Sequence, residues 1–191
     1  MIEAAGRIRR EARRAEDLAD AADRAEAARL SSALADYRDA ARRYGQAAEI
    51  APEGARERWQ YRLRQAGALR DHGGAFGDDA ARADSIRILR DVALPLTAPA
   101  SADWAQTQMA LGDALYLSGF YTGASELEAA VAAYQHALAI LTPNSTDWAD
   151  TQQGLGNAYT GLGRLGDRAM LTQRLAAYRR ALEVRTREAY P

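Results

Sequence analysis

Apolar positions recur at helical spacing along most of the chain, and the clearest stretch lies near its C-terminal end. Ala149, Leu155, Ala158, Tyr159 and Leu162 fall on one helical stripe, and Leu175, Tyr178, Ala181 and Leu182 fall on a second that faces it. The pattern predicts a pair of antiparallel helices. The same pair is spelled out earlier, because "DWAQTQMALGDALYLSG" at 103–119 nearly coincides with "DWADTQQGLGNAYTGLG" at 147–163. Self-similarity at a fixed period is the mark of a repeat architecture. Trp59, Trp104 and Trp148 stand 45 and 44 residues apart, and each is followed eight residues on by Gly67, Gly112 or Gly156 and fifteen on by Gly74, Gly119 or Gly163. A second landmark follows each Trp by 30 residues: Leu89, Tyr134 and Tyr178.

Each unit therefore carries two helices, the first running from the Trp to about the second Gly and the second centred on the Tyr or Leu. Asp103 and Asp147 stand where a helix N-cap is expected, and Pro52, Pro99 and Pro143 fall after the second helices, where the chain cannot continue helical. Gly112 and Gly156 lie inside first helices, where Gly costs roughly 1 kcal/mol against Ala, so a neighbouring helix is expected to pass close by. Counting back from Trp104 predicts further helices near 13–28 and 34–51, with Ser31 and Ser32 at the bend; a solenoid cap is favoured there over one continuous helix. The expected organisation is a single domain over 1–191: a degenerate helix pair at 1–52, then repeats at 53–99, 100–143 and 144–191.

Leu155, Gly156, Ala158, Tyr159, Gly163, Tyr178, Ala181 and Leu182 match in order the Leu-Gly, Ala-Tyr, Gly, Tyr and Ala-Leu landmarks of the tetratricopeptide repeat. The stretch from Gly163 to Tyr178 is about six residues longer than usual, so the chain resembles the longer, roughly 44-residue bacterial variant, with its "DWA-x-TQ-x-x-LG-x-A" opening. The resemblance covers roughly 33–191 and is closest from 103 onward. It implies an all-α, right-handed superhelical solenoid of antiparallel helix pairs with about 3.5 to 4 repeats. It also implies a non-catalytic scaffold that holds a protein or peptide segment in the concave groove lined by the first helices. By alignment the groove residues are Tyr61, Arg64, Asp71 and His72, then Gln106, Met109, Asp113 and Tyr116, then Asp150, Gln153, Asn157 and Thr160. Some members of the family clamp a terminal carboxylate with Lys and Asn. Asn157 matches that Asn, but Gln153 stands where the Lys is wanted and Arg64 is the nearby cation, so a carboxylate clamp is not expected. The chain ends on "TREAYP", which in such arrays precedes another "DWA", so a fragment of a longer protein is expected.

Composition and charge narrow the partner more than the fold. All 25 basic residues are Arg, set against 26 acids for a net charge of -1, which gives no field drawing the chain to nucleic acid or anionic lipid. The Arg and Ala richness without Lys is a habit of GC-rich bacterial genes. No apolar run reaches membrane-spanning length, the first twenty residues lack the apolar core of a signal peptide, and there is no Cys, so a cytoplasmic protein without disulfides is expected.

Candidate chemistry adds little. "GLGRLG" at 161–166 spells a dinucleotide fingerprint but follows a helix rather than a strand, so it reads as an inter-helix turn. "HGGAFGDD" from His72 to Asp79 lacks the alternating oxygen ligands of a calcium loop and reads as an extended connection. His72 and His136 sit in different units and read as surface residues; no metal or cofactor is expected. The Trp residues read as packing residues, and the Arg-rich stretch 7–14 as a solvated face. Two alternatives to the groove reading stay open: self-association through an apolar edge at Tyr178, Leu182 and Val184, or service as an intramolecular regulatory domain of a larger bacterial signalling protein.

Overall fold

Alanine at successive turns lets helices pack at short distance, and the first eighty residues use that property throughout. A computed structural model of the chain describes residues 2–33, 35–166 and 169–189. Among the described residues there are eight α-helices and no strand: α1 (Ile2–Ala33), α2 (Tyr37–Ile50), α3 (Arg56–Phe76), α4 (Asp79–Arg87), α5 (Ala102–Thr122), α6 (Ala124–Leu138), α7 (Thr146–Arg164) and α8 (Met170–Ala189). Each helix packs on its neighbours in sequence within two compact units, residues 1–88 and 89–191.

In the first unit Ala21, Ala25 and Ala28 of α1 meet Ala40, Ala41, Tyr44, Ala47 and Ala48 of α2, and Tyr61 and Ala68 of α3 join the same core. Two helices form here, not one. The break comes at Ala35, held at φ 59°, and at Asp36, whose carboxylate caps α2 by accepting from the Asp39 N–H at 3.2 Å. Ser31 and Ser32, the expected bend, stay helical, and the Ser31 hydroxyl donates to Asp39 at 2.7 Å. Arg43, Ser31 and Arg42 together hold the Asp39 carboxyl down to about 2.

α3 runs through His72, Gly73 and Gly74 to Phe76, so the expected extended connection from His72 to Asp79 is absent. The reason is tertiary. The Arg82 guanidinium, 4 % exposed, donates to the Gly73 carbonyl at 2.7 Å and pairs with Asp79. Gly77 then ends the helix at φ 66°, a conformation that favours glycine, and Asp78 caps α4. Ser85 ties α4 back to α3 through the Ala66 carbonyl at 2.7 Å. Beyond Arg87 the helix widens into a π-helical turn over Ile88–Ala93 and tightens into a 3-10 turn at Leu94–Leu96, where Pro95 can neither donate nor fit under the carbonyl four residues back.

In the second unit α5 and α6 form one hairpin and α7 and α8 the next. The N-caps are Ser101 and Ser145, whose hydroxyls accept from the Trp104 and Trp148 N–H groups at 3.1 and 3.2 Å. Asp103 and Asp147, expected as caps, lie instead in the first turn, where their charge suits the positive end of the helix. Thr107 and Thr151 are buried and bond back to the Asp103 and Asp147 carbonyls. "GLGRLG" is helical as far as Arg164, leaving Leu165 and Gly166 as turn.

Tyr134, 1 % exposed, explains the mid-helix glycines. A Cβ on Gly112 of α5 would sit 2.6 Å from its ring, and one on Gly154 of α7 would sit 2.7 Å from it. Leu127 is held in the same way between Gly119 and Gly161. α6 thus lies in the cleft between α5 and α7. α8 repeats half of this arrangement, with Tyr178 against Gly156 and Leu171 against Gly163. Its buried side is Ala177, Ala181 and Val184; Leu175 and Leu182, expected in the facing stripe, are each 61 % exposed.

Candidate functional site

The first helices of the second unit, α5 and α7, lie side by side, and each shows one stripe of half-buried and exposed side chains. On α5 the stripe is Gln106, Met109, Asp113, Tyr116 and Phe120; on α7 it is Asp150, Gln153, Asn157, Thr160 and Arg164. The steps of three and four residues keep each set on one side of its helix. All ten are half-buried or exposed. The sequence-derived groove residues of these two repeats therefore share one outer face, which Phe120 and Arg164 extend.

The polar groups on this face are held from behind. The Tyr134 hydroxyl donates to Asp113 Oδ1 at 2.8 Å, and the Tyr178 hydroxyl donates to Asn157 Oδ1 at 2.6 Å. Thr160 Oγ1 donates to the Gly156 carbonyl at 2.8 Å and lies 3.3 Å from the same Tyr178 hydroxyl. Tyrosines from the second helices thus pass over glycine and present their oxygens to the first-helix stripe, in equivalent places in both hairpins. Asp150 is paired with Arg185 of α8 at 2.7 Å. Tyr116 is set edge-on to Phe120 with ring centroids 5.2 Å apart. Burial, reinforced by the Tyr178 hydroxyl and opposed by Arg164, pushes its phenol above the ordinary value, so it stays a neutral donor.

The four groove residues read from the first clear repeat lie on α3, in the other compact unit, and are placed differently. Tyr61 is 7 % exposed and packs into the alanine core, where burial raises its phenol as well. Arg64 and Asp71 are exposed, with Asp71 2.8 Å from the Arg70 guanidinium. His72 is half-buried, its ring 4.8 Å from Phe76 and its Nε2 3.4 Å from Asp78. His136, in the second unit, is exposed with its ring 6.0 Å from Trp104. Trp59 is buried, with Arg56 5.6 Å from the ring, while Trp104 and Trp148 are half-buried.

A cavity of about 400 Å³ opens among α6, α7 and α8, lined by Gln135, Trp148, Gln152, Tyr159, Gln173 and Arg180, with others. Gln152 is 4 % exposed, and its Oε1 is buried with no hydrogen-bond partner, whereas Gln135 donates to the Tyr159 hydroxyl at 3.2 Å. Gln152 repeats Gln108, which is also buried, so its period alone marks it as a packed position rather than a surface one. Among the described residues no group of three or more His, Asp or Glu side chains is placed to hold a metal ion, and no helix is long and apolar enough to cross a membrane.

Compared with protein-family models, with curated proteins and with solved structures, the chain matches none of them.

Proposed function

We propose that the chain is a non-catalytic polypeptide-binding scaffold, a solenoid of the tetratricopeptide-repeat kind, and that the outer face shared by α5 and α7 is where a peptide or protein segment lies. The observation that supports this best is the repeated Tyr-to-Asp and Tyr-to-Asn arrangement, which holds Asp113 and Asn157 by hydrogen bonds from behind. A carboxylate and an amide positioned before binding lose little side-chain freedom on meeting a partner. Between them the face offers acceptors for backbone or side-chain N–H groups, amides at Gln106 and Gln153 that both donate and accept, a neutral tyrosine, and the exposed Phe120 ring. That mixture suits an uncharged polypeptide better than a polyanion. Tyr116 and Phe120 are the expected anchors, because aromatic side chains carry much contact area for few rotatable bonds.

A displayed library of random peptides selected on the chain tests the reading. Peptides enriched on the native protein should lose at least tenfold in affinity for a Tyr116→Ala/Gln153→Ala variant that keeps its helical circular dichroism. Both side chains are half-exposed, so the fold should survive their truncation. Failure to enrich any sequence, or equal binding to the variant, would remove the assignment.

A further inference from the structure

α6 and α8 carry the same seam at the same places in their hairpins, and only one of the two is covered. On α6 the seam is Leu127, Val131, Tyr134 and Leu138; on α8 it is Leu171, Leu175, Tyr178 and Leu182, with steps of four, three and four residues in each. Leu127 and Tyr134 are buried because α7 lies against them with Gly161 and Gly154, two small residues seven apart on an antiparallel helix. Leu171 and Tyr178 have α7 on one side, through Gly163 and Gly156, and Leu171, Leu175 and Leu182 remain exposed. Beside Tyr178 a shallow cavity of about 260 Å³ opens between Gln153, Ala181, Leu182 and Arg185. The geometry of the α6 and α7 contact states what would fill this surface: a helix with small residues at i and i+7. Around the seam stand Arg174, Arg179 and Arg185, the last also paired with Asp150 of its own chain at 2.7 Å, so the flanks of that helix should be acidic.

α1 meets both requirements. Its buried face toward α2 is Ala21, Ala25 and Ala28. Turned away from α2 it shows Ile8, Ala12, Ala15, Ala19 and Ala22, all exposed, with Ala12 and Ala19, and again Ala15 and Ala22, seven apart. By helical phase Glu11, Glu16 and Asp23 flank this stripe, Glu11 with the Arg7 guanidinium 3.8 Å away, while Arg10 and Arg14 fall toward the α2 side and Arg9 and Arg13 stand off to one edge. The stripe from Ile8 to Ala22 and the α8 seam with its arginines, Leu171 to Arg185, are each fifteen residues long.

We infer that α8 of one copy packs antiparallel against α1 of a second copy, the leucines and Tyr178 seating on the alanine stripe and Arg174, Arg179 and Arg185 facing Glu11, Glu16 and Asp23. The contact joins two different surfaces, so it is head-to-tail: each dimer keeps a free α8 and a free α1, and assembly continues with concentration unless the copies close into a ring. Salt weakens it, since the charged rim is solvent-exposed.

Sedimentation velocity on the native chain over a hundredfold range of concentration should show association that grows with concentration and falls with added salt. The deciding measurement uses two variants, each blocked on one surface at exposed positions: Leu175→Glu/Leu182→Glu on α8, and Ala15→Arg/Ala19→Arg on α1. Circular dichroism confirms that both stay helical. Each alone should be monomeric where the native chain associates. Mixed, they should form a one-to-one dimer that grows no further, because each retains the surface the other lacks. A native chain that stays monomeric throughout overturns the inference. So does an α1 variant that still dimerises, which would mean α8 pairs with α8, and so does a mixture that fails to associate.

Discussion

Gly67 and Gly112 hold the same place, eight residues beyond a tryptophan, and do different things. A Cβ on Gly112 would meet the Tyr134 ring at 2.6 Å, whereas nothing lies within 4 Å of a Cβ built on Gly67. The difference traces to the second helices. Where α6 has Tyr134, the earlier copy of the repeat has Leu89, and where Asp113 accepts the tyrosine hydroxyl it has Ala68. Ring, glycine and acceptor are present together in the later hairpins, and the earlier copy lacks ring and acceptor while keeping a glycine that no longer makes room for anything. A second exchange goes the other way. Leu127 and Leu171 sit 23 residues beyond their tryptophans, and at that place the first unit has the buried Arg82, which holds the Gly73 carbonyl that would otherwise end α3. The helix pairs of the two units are thus closed differently, by an aromatic wedge in one and by a hydrogen-bonded cation in the other.

Substitutions at these positions should separate the two solutions. The largest effect is expected for Tyr134→Ala, which empties a fully buried ring site and removes the bond to Asp113; urea unfolding should show a loss of about 3–5 kcal/mol. Gly112→Ala should come next, at about 1–3 kcal/mol, since the buried ring has Gly154 behind it and cannot retreat. A gain in stability there would mean the ring is not wedged. Arg82→Ala should cost about 2 kcal/mol by leaving the Gly73 carbonyl without its donor, and Arg82→Leu should recover part of that, as the leucines of the other copies imply. Equal losses for the two would deny the equivalence of these positions. Gly67→Ala should have the opposite sign, stabilising by about 0.5–1 kcal/mol, because an open helical site gains propensity at no steric cost.

The smallest effect concerns acid. Asp39 is held at about 2 by Arg43, Ser31 and Arg42, below its ordinary range, so its contribution is complete above about pH 4 and fades as pH falls toward 2. Carbon-detected titration of Asp39 should give a midpoint near 2, and Asp39→Asn should flatten the acid limb of stability in that window. A midpoint near 4 would show that the α1 and α2 junction does not hold the carboxylate.

Much of the helical layout is legible in the residues themselves. The tryptophan spacing, the paired glycines and the breaks at Pro99 and Pro143 locate α5 to α8 closely, because periodic burial and helix termination are local properties of a chain. The caps were misplaced by two residues, since Ser and Asp are both good N-cap residues and pattern alone does not choose between Ser101 and Asp103. The passage of α3 through two adjacent glycines was hidden for a different reason: it depends on Arg82, nine residues beyond Gly73, arriving at its carbonyl. The groove stripes on α5 and α7 were readable as positions, whereas the bonds that hold Asp113 and Asn157 come from tyrosines 21 residues further on.

Period, propensity and punctuation are carried by neighbours in the chain, and they place α5 to α8 closely, while α1 runs well beyond the expected 13–28 at both ends and Leu89, the expected centre of a second helix, lies in the π-helical turn after α4. Which glycine has a ring against it, which leucine of two similarly spaced seams is covered, and which buried amide is left without a partner are questions of what lies across a packed surface. Tyr134 and Tyr178 have the same local sequence signature, and one is enclosed while the other is half-open because α7 follows α6, whereas α8 meets α7 on one side only. Burial belongs to the pair of surfaces in contact, so it emerges only once the helices are placed against one another.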